Sequence, residues 1–557
     1  MPLYINDLAS LFILATALSV VAKLLRQPLI LAYLATGALV AWLGYSEIAG
    51  KDIFQTFGDL GIMFLLFLVG LEINYTSLRL VGKISLIIGI LQIFVTTVAG
   101  YFLARLLGFA SLPSLYLGLA LTLASTIIVV KYLSDKRDLN SLYGKISIGL
   151  LLVQDLAAIL ILVVLSGIKS SGSVSPMDIF LTLAKALILF GVTIWLGRKI
   201  LPHLFDEIAQ SQEMMFLTST AWLFLIALIV KQFGFSVEIA GILAGLSLAN
   251  SSENFQIANK IRPLRDFFII IFFIILGSAF VNVNFSGLAT PIIVLSLFVL
   301  IGNPLIMLVI MGLLGFKKRT SFLAGLTVSQ ISEFSLIMAA LGKEIGHIDS
   351  TVVGVITAVG IISITVSSYL IHYSNHLFKY LEHILSVFEK KISSDLKLPL
   401  RPKKSIVLIG FHRTGQSLAH NLPVEDLMVV DFDPEMTKKL EKLGYDYIFG
   451  DIADEEVFSQ ITTTKTKLVI STSPDLEDNL MLISYLNKLK RRPALVVRAE
   501  TERDALLFYD AGADYVLVPH LSSGHHLGKL LAGYPSIKQL DKLKNHDLKL
   551  IKRDLSD

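Results

Sequence analysis

The chain has no cysteine among its 557 residues. That excludes disulfides, zinc–thiolate sites and thiol chemistry. Charge is scarce as well: Asp, Glu, Lys and Arg make up 17% of residues against 54% hydrophobic. It is also unevenly spread, with apolar runs filling almost everything before His372 and an ordinary soluble composition after it. A formal net charge of +4 is too small to imply nucleic-acid binding, and the basic residues gather at the ends of apolar runs, where a membrane protein places them. The opening stretch Met1–Asp7 lacks the basic region of a cleaved signal, so the first apolar run reads as a retained spanning helix.

What the chain does have is long apolar runs. Thirteen candidate spans lie near residues 7–25, 28–46, 53–71, 84–107, 113–133, 145–168, 178–200, 214–232, 235–250, 267–280, 289–314, 320–341 and 351–372, and the two shortest have the length of re-entrant segments. Sixteen Lys and Arg residues fall in one set of alternate loops and five (Lys51, Arg105, Lys169, Lys231, Lys343) in the other. The richer set is expected on the cytoplasmic side, with the N-terminus outside and the C-terminal domain inside.

Asp155 is the residue around which these spans are organised. It lies ten positions after Lys145 inside an apolar run, roughly 15 Å along a helix at about 1.5 Å per residue, near the bilayer midplane. An ionisable group there costs about 2.5–3.5 kcal/mol on insertion scales, so it marks a transport path or a partner within the bundle. The competing reading makes Gln154 and Asp155 hydrogen-bonding glue between helices. In the fifth span, Ser125 and Thr126 read either as packed hydroxyls or as a helix break whose freed carbonyls coordinate a cation. The twelfth span carries Thr327, Ser329, Gln330, Ser332, Glu333 and Ser335, too polar for lipid. Glu333 is a candidate proton or ion site, or a buried partner that steadies a second broken helix. Asp59 and Glu72 are weaker candidates, Glu72 being read as a partner of Arg79. A polar span followed by the Asp155 span is echoed by the twelfth and thirteenth, and the odd spacing of seven suits an inverted repeat.

The second half alternates buried strands with helical stretches. Strands are expected at 404–409, 427–431, 447–451, 468–472 and 495–498, which points to a parallel, doubly wound sheet. Gly410, His412, Arg413, Thr414 and Gly415 form a glycine turn entering a helix, and Asp431 ends the next strand about twenty residues later, where an acid can meet a ribose. Asp433, Gly450, Asp451 and Arg498 complete the candidate nucleotide contacts. The middle glycine of the dinucleotide fingerprint is His412, so a mononucleotide is as consistent with the turn as a dinucleotide.

The ordered motifs Arg26-Gln27-Pro28, Phe64–Glu72, Ala124-Ser125-Thr126, Gln154-Asp155, Ala240–Gly245, Pro263–Phe268 and Gln330–Phe334 resemble those of the bacterial Kef-type monovalent cation:proton antiporters. The segment from Lys404 to about Pro519 resembles the RCK/KTN regulatory domain that gates potassium channels and transporters. The resemblance implies a polytopic α-helical membrane protein of about thirteen spans with inverted repeats and two crossed discontinuous helices, followed by an α/β Rossmann-like domain. It also implies a homodimer in a bacterial inner membrane, elevator-like alternating access around one essential aspartate, here Asp155, and room for an ancillary cytosolic regulator. The implied plan is a membrane domain over 1–372, a connector over 373–402, a nucleotide-binding regulatory domain over 403–535 and a basic tail over 536–557.

The Gln154-Asp155 pair resembles the potassium subgroup, K+ being expected ahead of Na+, and Asn303 stands where electrogenic relatives carry a base. Asp155, Gln154, Ser125, Thr126 and Glu333 are the expected ion and proton ligands, with AMP, ATP or NAD(H) as the regulatory nucleotide. Against a membrane dehydrogenase, the soluble half offers no substrate module or acid/base pair. Against a nucleotide-gated channel, the membrane half has no repeated carbonyl-rich filter.

Overall fold

A computed structural model of the chain describes residues 3–45, 52–72, 82–136, 138–139, 141–166, 185, 188–193, 195–197, 199, 212–233, 237–249, 251, 253–281, 287–388, 404–431, 434–450, 452, 457, 461, 465–532, 540–541, 544–545 and 548. The chain divides into two compact units, Met1–Asp135 with Tyr143–Lys390, and Lys136–Leu142 with Lys391–Asp557.

Every regular element among the described residues of the first unit is a helix. Among the described residues, five helices are long and apolar enough to cross a membrane by length and composition: Lys83–Leu106, Leu142–Leu165, Glu213–Gln232, Ala289–Leu313 and Ser350–His372. The expected span near 178–200 lies largely outside the described residues. The expected short span at 267–280 is the later part of a 28-residue helix, Asn254–Val281, that runs on through Pro263. Charged residues around Pro263 end the apolar run there but not the helix.

The motif glycines explain how the helices approach one another. A Cβ on Gly245 would collide with the Phe67 carbonyl oxygen, and one on Gly70 would lie 3.0 Å from the Gly245 Cα. The helices Asp52–Glu72 and Val237–Leu248 therefore meet backbone to backbone, a contact that packing alone can hold in lipid.

Two spans are interrupted. The fifth consists of Ser111–Ala120 and Thr126–Asp135 with non-helical backbone from Leu121 to Ser125 between them. The twelfth consists of Lys318–Thr327 and Glu333–Glu344, separated by residues 328–332. Ser332 takes an extended conformation (φ −94°, ψ 162°), and its hydroxyl accepts from Phe334 N–H at 3.1 Å, capping the second half-helix.

The second unit carries a six-stranded, wholly parallel sheet in the order β3-β2-β1-β4-β5-β6. The strands are β1 Ile406–Ile409, β2 Leu427–Asp431, β3 Asp446–Phe449, β4 Leu468–Ser471, β5 Ala494–Arg498 and β6 Tyr515–Leu517. The strand order reverses between β1 and β4, the switch point at which doubly wound sheets open a ligand crevice. Both faces are covered, with Val407, Val430, Val469 and Leu482 in one apolar cluster and Leu408, Phe411, Val429 and Leu440 in the other.

Candidate functional site

The two interruptions lie against each other, and their freed backbone groups are met by side chains. Asn303, fully buried, donates through Nδ2 to Leu121 O at 2.8 Å and to Val328 O at 3.4 Å, one carbonyl from each interruption. Ser335 Oγ donates to Ala120 O at 2.7 Å. Asn303 comes directly after a π-helical turn, Phe298–Gly302, within an otherwise α-helical span. Such a turn shifts the angular position of the residues after it and is common where a side chain must be aimed. The sequence marked Asn303 as a missing base; in the fold it bridges the two breaks.

Gln154 backs the first interruption. Its Oε1 accepts from Ala124 N–H at 3.0 Å, and its Nε2 donates to Thr122 O at 3.2 Å and to Gln92 Oε1 at 2.7 Å. Gln92 Nε2 donates in turn to Thr122 O at 3.3 Å and Thr96 Oγ1 at 3.2 Å. The sequence placed Gln154 in the cation's oxygen shell; its oxygen is instead engaged by the backbone of the break. Neighbouring residues on a helix point about 100° apart, so Gln154 and Asp155 address different surfaces. Gln92 was missed, although a glutamine inside an apolar span is the same signal that drew attention to Glu333.

On the other side, two adjacent hydroxyls meet two carboxylates. Thr126 Oγ1 donates to Asp155 Oδ2 at 2.9 Å, and Ser125 Oγ donates to Glu333 Oε2 at 3.0 Å. Asp155 comes from the long helix Leu142–Ser166, while Glu333 opens the second half of the other broken span. Asp155, Ser125, Thr126 and Glu333 are thus brought together. Carboxylates, hydroxyls and carbonyls are hard oxygen donors, suited to a small hard cation or to protons. Asp59 is exposed on its helix, and the Glu72 side chain and Arg79 lie outside the described residues.

In the second unit, Gly410 (φ +88°) turns the chain out of β1, and a Cβ on Gly415 would collide with the Gly410 carbonyl oxygen. These are the outer two positions of the fingerprint. His412, at the middle one, has φ −79° and is exposed, so its side chain strains nothing. Arg413 and Thr414 stand on the first turn of the next helix, and Gly450 closes β3 with its N–H donating to Asp431 O at 3.1 Å. The Asp431 carboxylate is 3% exposed and accepts from Phe411 N–H at 2.6 Å. In this arrangement it builds the turn that sequence reasoning had it serve as a ribose ligand. Thr472 Oγ1 lies 3.0 Å from both Ile409 O and Gly410 O, a brace that sequence reasoning did not identify. Arg498 ends β5 and pairs with Glu500, its Nε buried and without a partner. Asp433 and Asp451 lie outside the described residues.

Comparison with known proteins adds the family. The family described as "Sodium/hydrogen exchanger, transmembrane" matches residues 9–372, and the TrkA-N domain matches 406–519. YbaL of Escherichia coli (strain K12) is 25% identical over 540 residues, covering 94% of this chain and 96% of its own. The K(+) efflux antiporter 3, chloroplastic, of Arabidopsis thaliana is 26% identical over 573 residues, covering 95% and 73%. Among solved structures, the sodium proton antiporter MjNhaP1 from Methanocaldococcus jannaschii shares the fold of the membrane unit, with a TM-score of 0.50 at 19% identity over 67% of this chain and 99% of that one. The two interrupted helices around Asp155, with a parallel nucleotide-type sheet behind them in the chain, thus belong to a member of the transmembrane sodium/hydrogen exchanger family, a cation:proton antiporter rather than an enzyme, with a C-terminal TrkA-N domain.

Proposed function

We propose that the chain exchanges K+ for protons, with Asp155 holding either a dehydrated cation or a proton and the core moving when one of them neutralises it. The observation that carries this reading is the pair of adjacent hydroxyls, Ser125 and Thr126, donating to Glu333 and Asp155 where the two broken helices meet. Thr126 and the Asp155 carboxylate supply the oxygen ligands. Glu333 steadies the second half-helix and is the second group able to exchange a proton. Gln154 shapes the break without entering the ligand shell.

Potassium as the cation is supported by the neutral Gln154 beside Asp155 and by the name of the Arabidopsis relative. The uncharged Asn303, bridging both breaks, supports one-for-one exchange, since the crossing then needs no permanent positive group. The protein is a homodimer of thirteen-span protomers with inverted repeats, in a bacterial inner membrane, N-terminus outside and nucleotide-type domain inside. The Lys and Arg distribution supports that orientation. A nucleotide, AMP, ATP or NAD(H), binds at the β1–β4 crevice and regulates exchange.

The test is reconstitution in proteoliposomes with an entrapped pH dye, titrated with K+ and Na+ in turn. Wild type should show proton flux dependent on K+, and D155N should abolish it. Undiminished exchange by D155N would remove Asp155 from the mechanism, and a response to Na+ alone would reassign the cation.

A further inference from the structure

The last spanning helix ends at His372, and after Tyr373 the chain starts a second helix, Ser374–Leu385, continued by a turn at Ser386–Phe388. One side of it is packed. Leu377, Phe378, Leu381, Leu385 and Phe388 join Leu308, Phe322, Leu323 and Leu326 in an apolar cluster, and Glu382 pairs with Lys318 at 3.1 Å. A second side is apolar and uncovered: Tyr373 is 52% exposed, Tyr380 85%, Ile384 64% and Val387 82%. The spacings of seven, four and three residues set these four on one stripe. His376 and His383 border it, and Lys379 and Ser386 lie farther round, all exposed. The helix therefore presents three surfaces: packed, apolar and polar.

Both ends of the stripe run into surface that the membrane must already cover. At one end, Ile362, Val366 and Tyr369 are exposed on the last span, and their spacing leads directly to Tyr373. At the other, Phe388 lies against Gly312, beside Leu313, which is 70% exposed on its spanning helix. An apolar stripe that continues lipid-facing surface at both ends, next to a polar face and rich in tyrosine, has the pattern of a helix lying in the membrane boundary.

We propose that Ser374–Phe388 is an in-plane membrane-surface helix whose Tyr373, Tyr380, Ile384 and Val387 are seated in bilayer lipid at the boundary between headgroups and acyl chains. The occupant is lipid because the stripe is continuous with the lipid-facing sides of two spans. Seated so, the helix fixes the level at which the chain leaves the membrane toward its second unit.

The absence of cysteine makes the test direct, since each variant carries a single thiol. Full-length Y380C, I384C and V387C, with K379C and S386C as polar-side controls, are labelled with a nitroxide. They are reconstituted in vesicles of phosphatidylethanolamine and phosphatidylglycerol, and retained cation-dependent proton exchange shows that each is folded. Collision of the label with oxygen, which concentrates in lipid, is compared with collision with a water-soluble nickel chelate. The oxygen-to-nickel ratio should be several-fold higher at 380, 384 and 387 than at 379 and 386. Equal ratios on the two sides would mean that the stripe faces water and would overturn the proposal. So would low access to both reagents, or a disulfide between two copies of Y380C, either of which would mean that protein covers it.

Discussion

Replacing Gln92 by leucine asks whether the amide pair behind the first interruption sets the geometry in front of it. Gln92 is fully buried, accepting from Gln154 Nε2 at 2.7 Å and donating to Thr122 O and Thr96 Oγ1. Leucine fills a similar volume with no polar atom. Thr122 O keeps its bond from Gln154 at 3.2 Å, so that carbonyl is not orphaned, but Gln154 loses its shorter acceptor. A buried donor left unsatisfied costs about 1–3 kcal/mol. That penalty falls on the arrangement in which Gln154 Oε1 holds Ala124 N–H, and with it the positions of Ser125 and Thr126. If it falls there wholly, cation binding weakens about 5- to 150-fold. In vesicles with an entrapped pH dye, Q92L should show a raised half-saturating K+ concentration and a saturated rate close to wild type. An unchanged half-saturation with a lower melting temperature would assign the penalty to the fold as a whole and refute the positioning role. No change in either quantity would refute the hydrogen bond itself.

Asn303→Leu strips the donor from Leu121 O and Val328 O, so about 2 kcal/mol or more of stability should be lost at about 1–3 kcal/mol per unsatisfied buried acceptor; a melting temperature equal to wild type would remove Asn303 from the crossing. Gly415→Ala drives a Cβ into the Gly410 carbonyl and should destabilise the second unit by at least about 1–3 kcal/mol, the usual range for overpacking, visible as a lower denaturant midpoint; a midpoint equal to wild type would contradict the close approach. Glu502 is held below the ordinary carboxyl range, first by its hydrogen bond from His520. A lowered acid stabilises fully above its ordinary value, about 4.5, and the gain fades as pH falls through the lowered value. The melting difference between wild type and E502Q should therefore shrink from pH 7 toward pH 3, and a difference constant across that range would contradict the assignment.

Part of the candidate site was legible in the sequence because some signals are local. Ser125, Thr126, Asp155 and Glu333 are polar residues in apolar spans, and a polar group at that depth needs a partner wherever the span packs. The direction of a side chain is not local, which is why Gln154 was set beside the cation when its amide serves the backbone of the break. The helix Asn254–Val281 was shortened for a related reason: Lys260, Arg262, Pro263, Arg265 and Asp266 break the hydropathy, yet Arg265 and Asp266 pair at 2.7 Å and the helix continues. In the second unit, buried β-branched runs announced β1, β2, β4 and β5. β6, with three residues between an Ala-Gly-Ala-Asp turn and a proline, was too short to show a pattern.

The partners described for the two interruptions share one property that bears on how the antiporter works. Asn303 and Gln154 are neutral amides, Ser125, Thr126 and Ser335 are hydroxyls, and Asp155 and Glu333 are acids. The half-helices that end at Ala120 and Thr327 turn the negative ends of their dipoles toward the crossing, those that begin at Thr126 and Glu333 turn the positive ends, and Asn303 meets a carbonyl from each break with donated hydrogen bonds rather than with charge. The side chains that hold the breaks in shape thus bring no formal positive charge to compete with a transported cation. In the exchange proposed above, the charge that varies at the crossing is the charge on the carboxylates, and what changes it is the cargo itself, cation or proton. On that proposal the acids that bind the cargo also sense whether it is there. That is why disturbing a neutral neighbour such as Gln92 should alter affinity, whereas removing Asp155 should remove exchange.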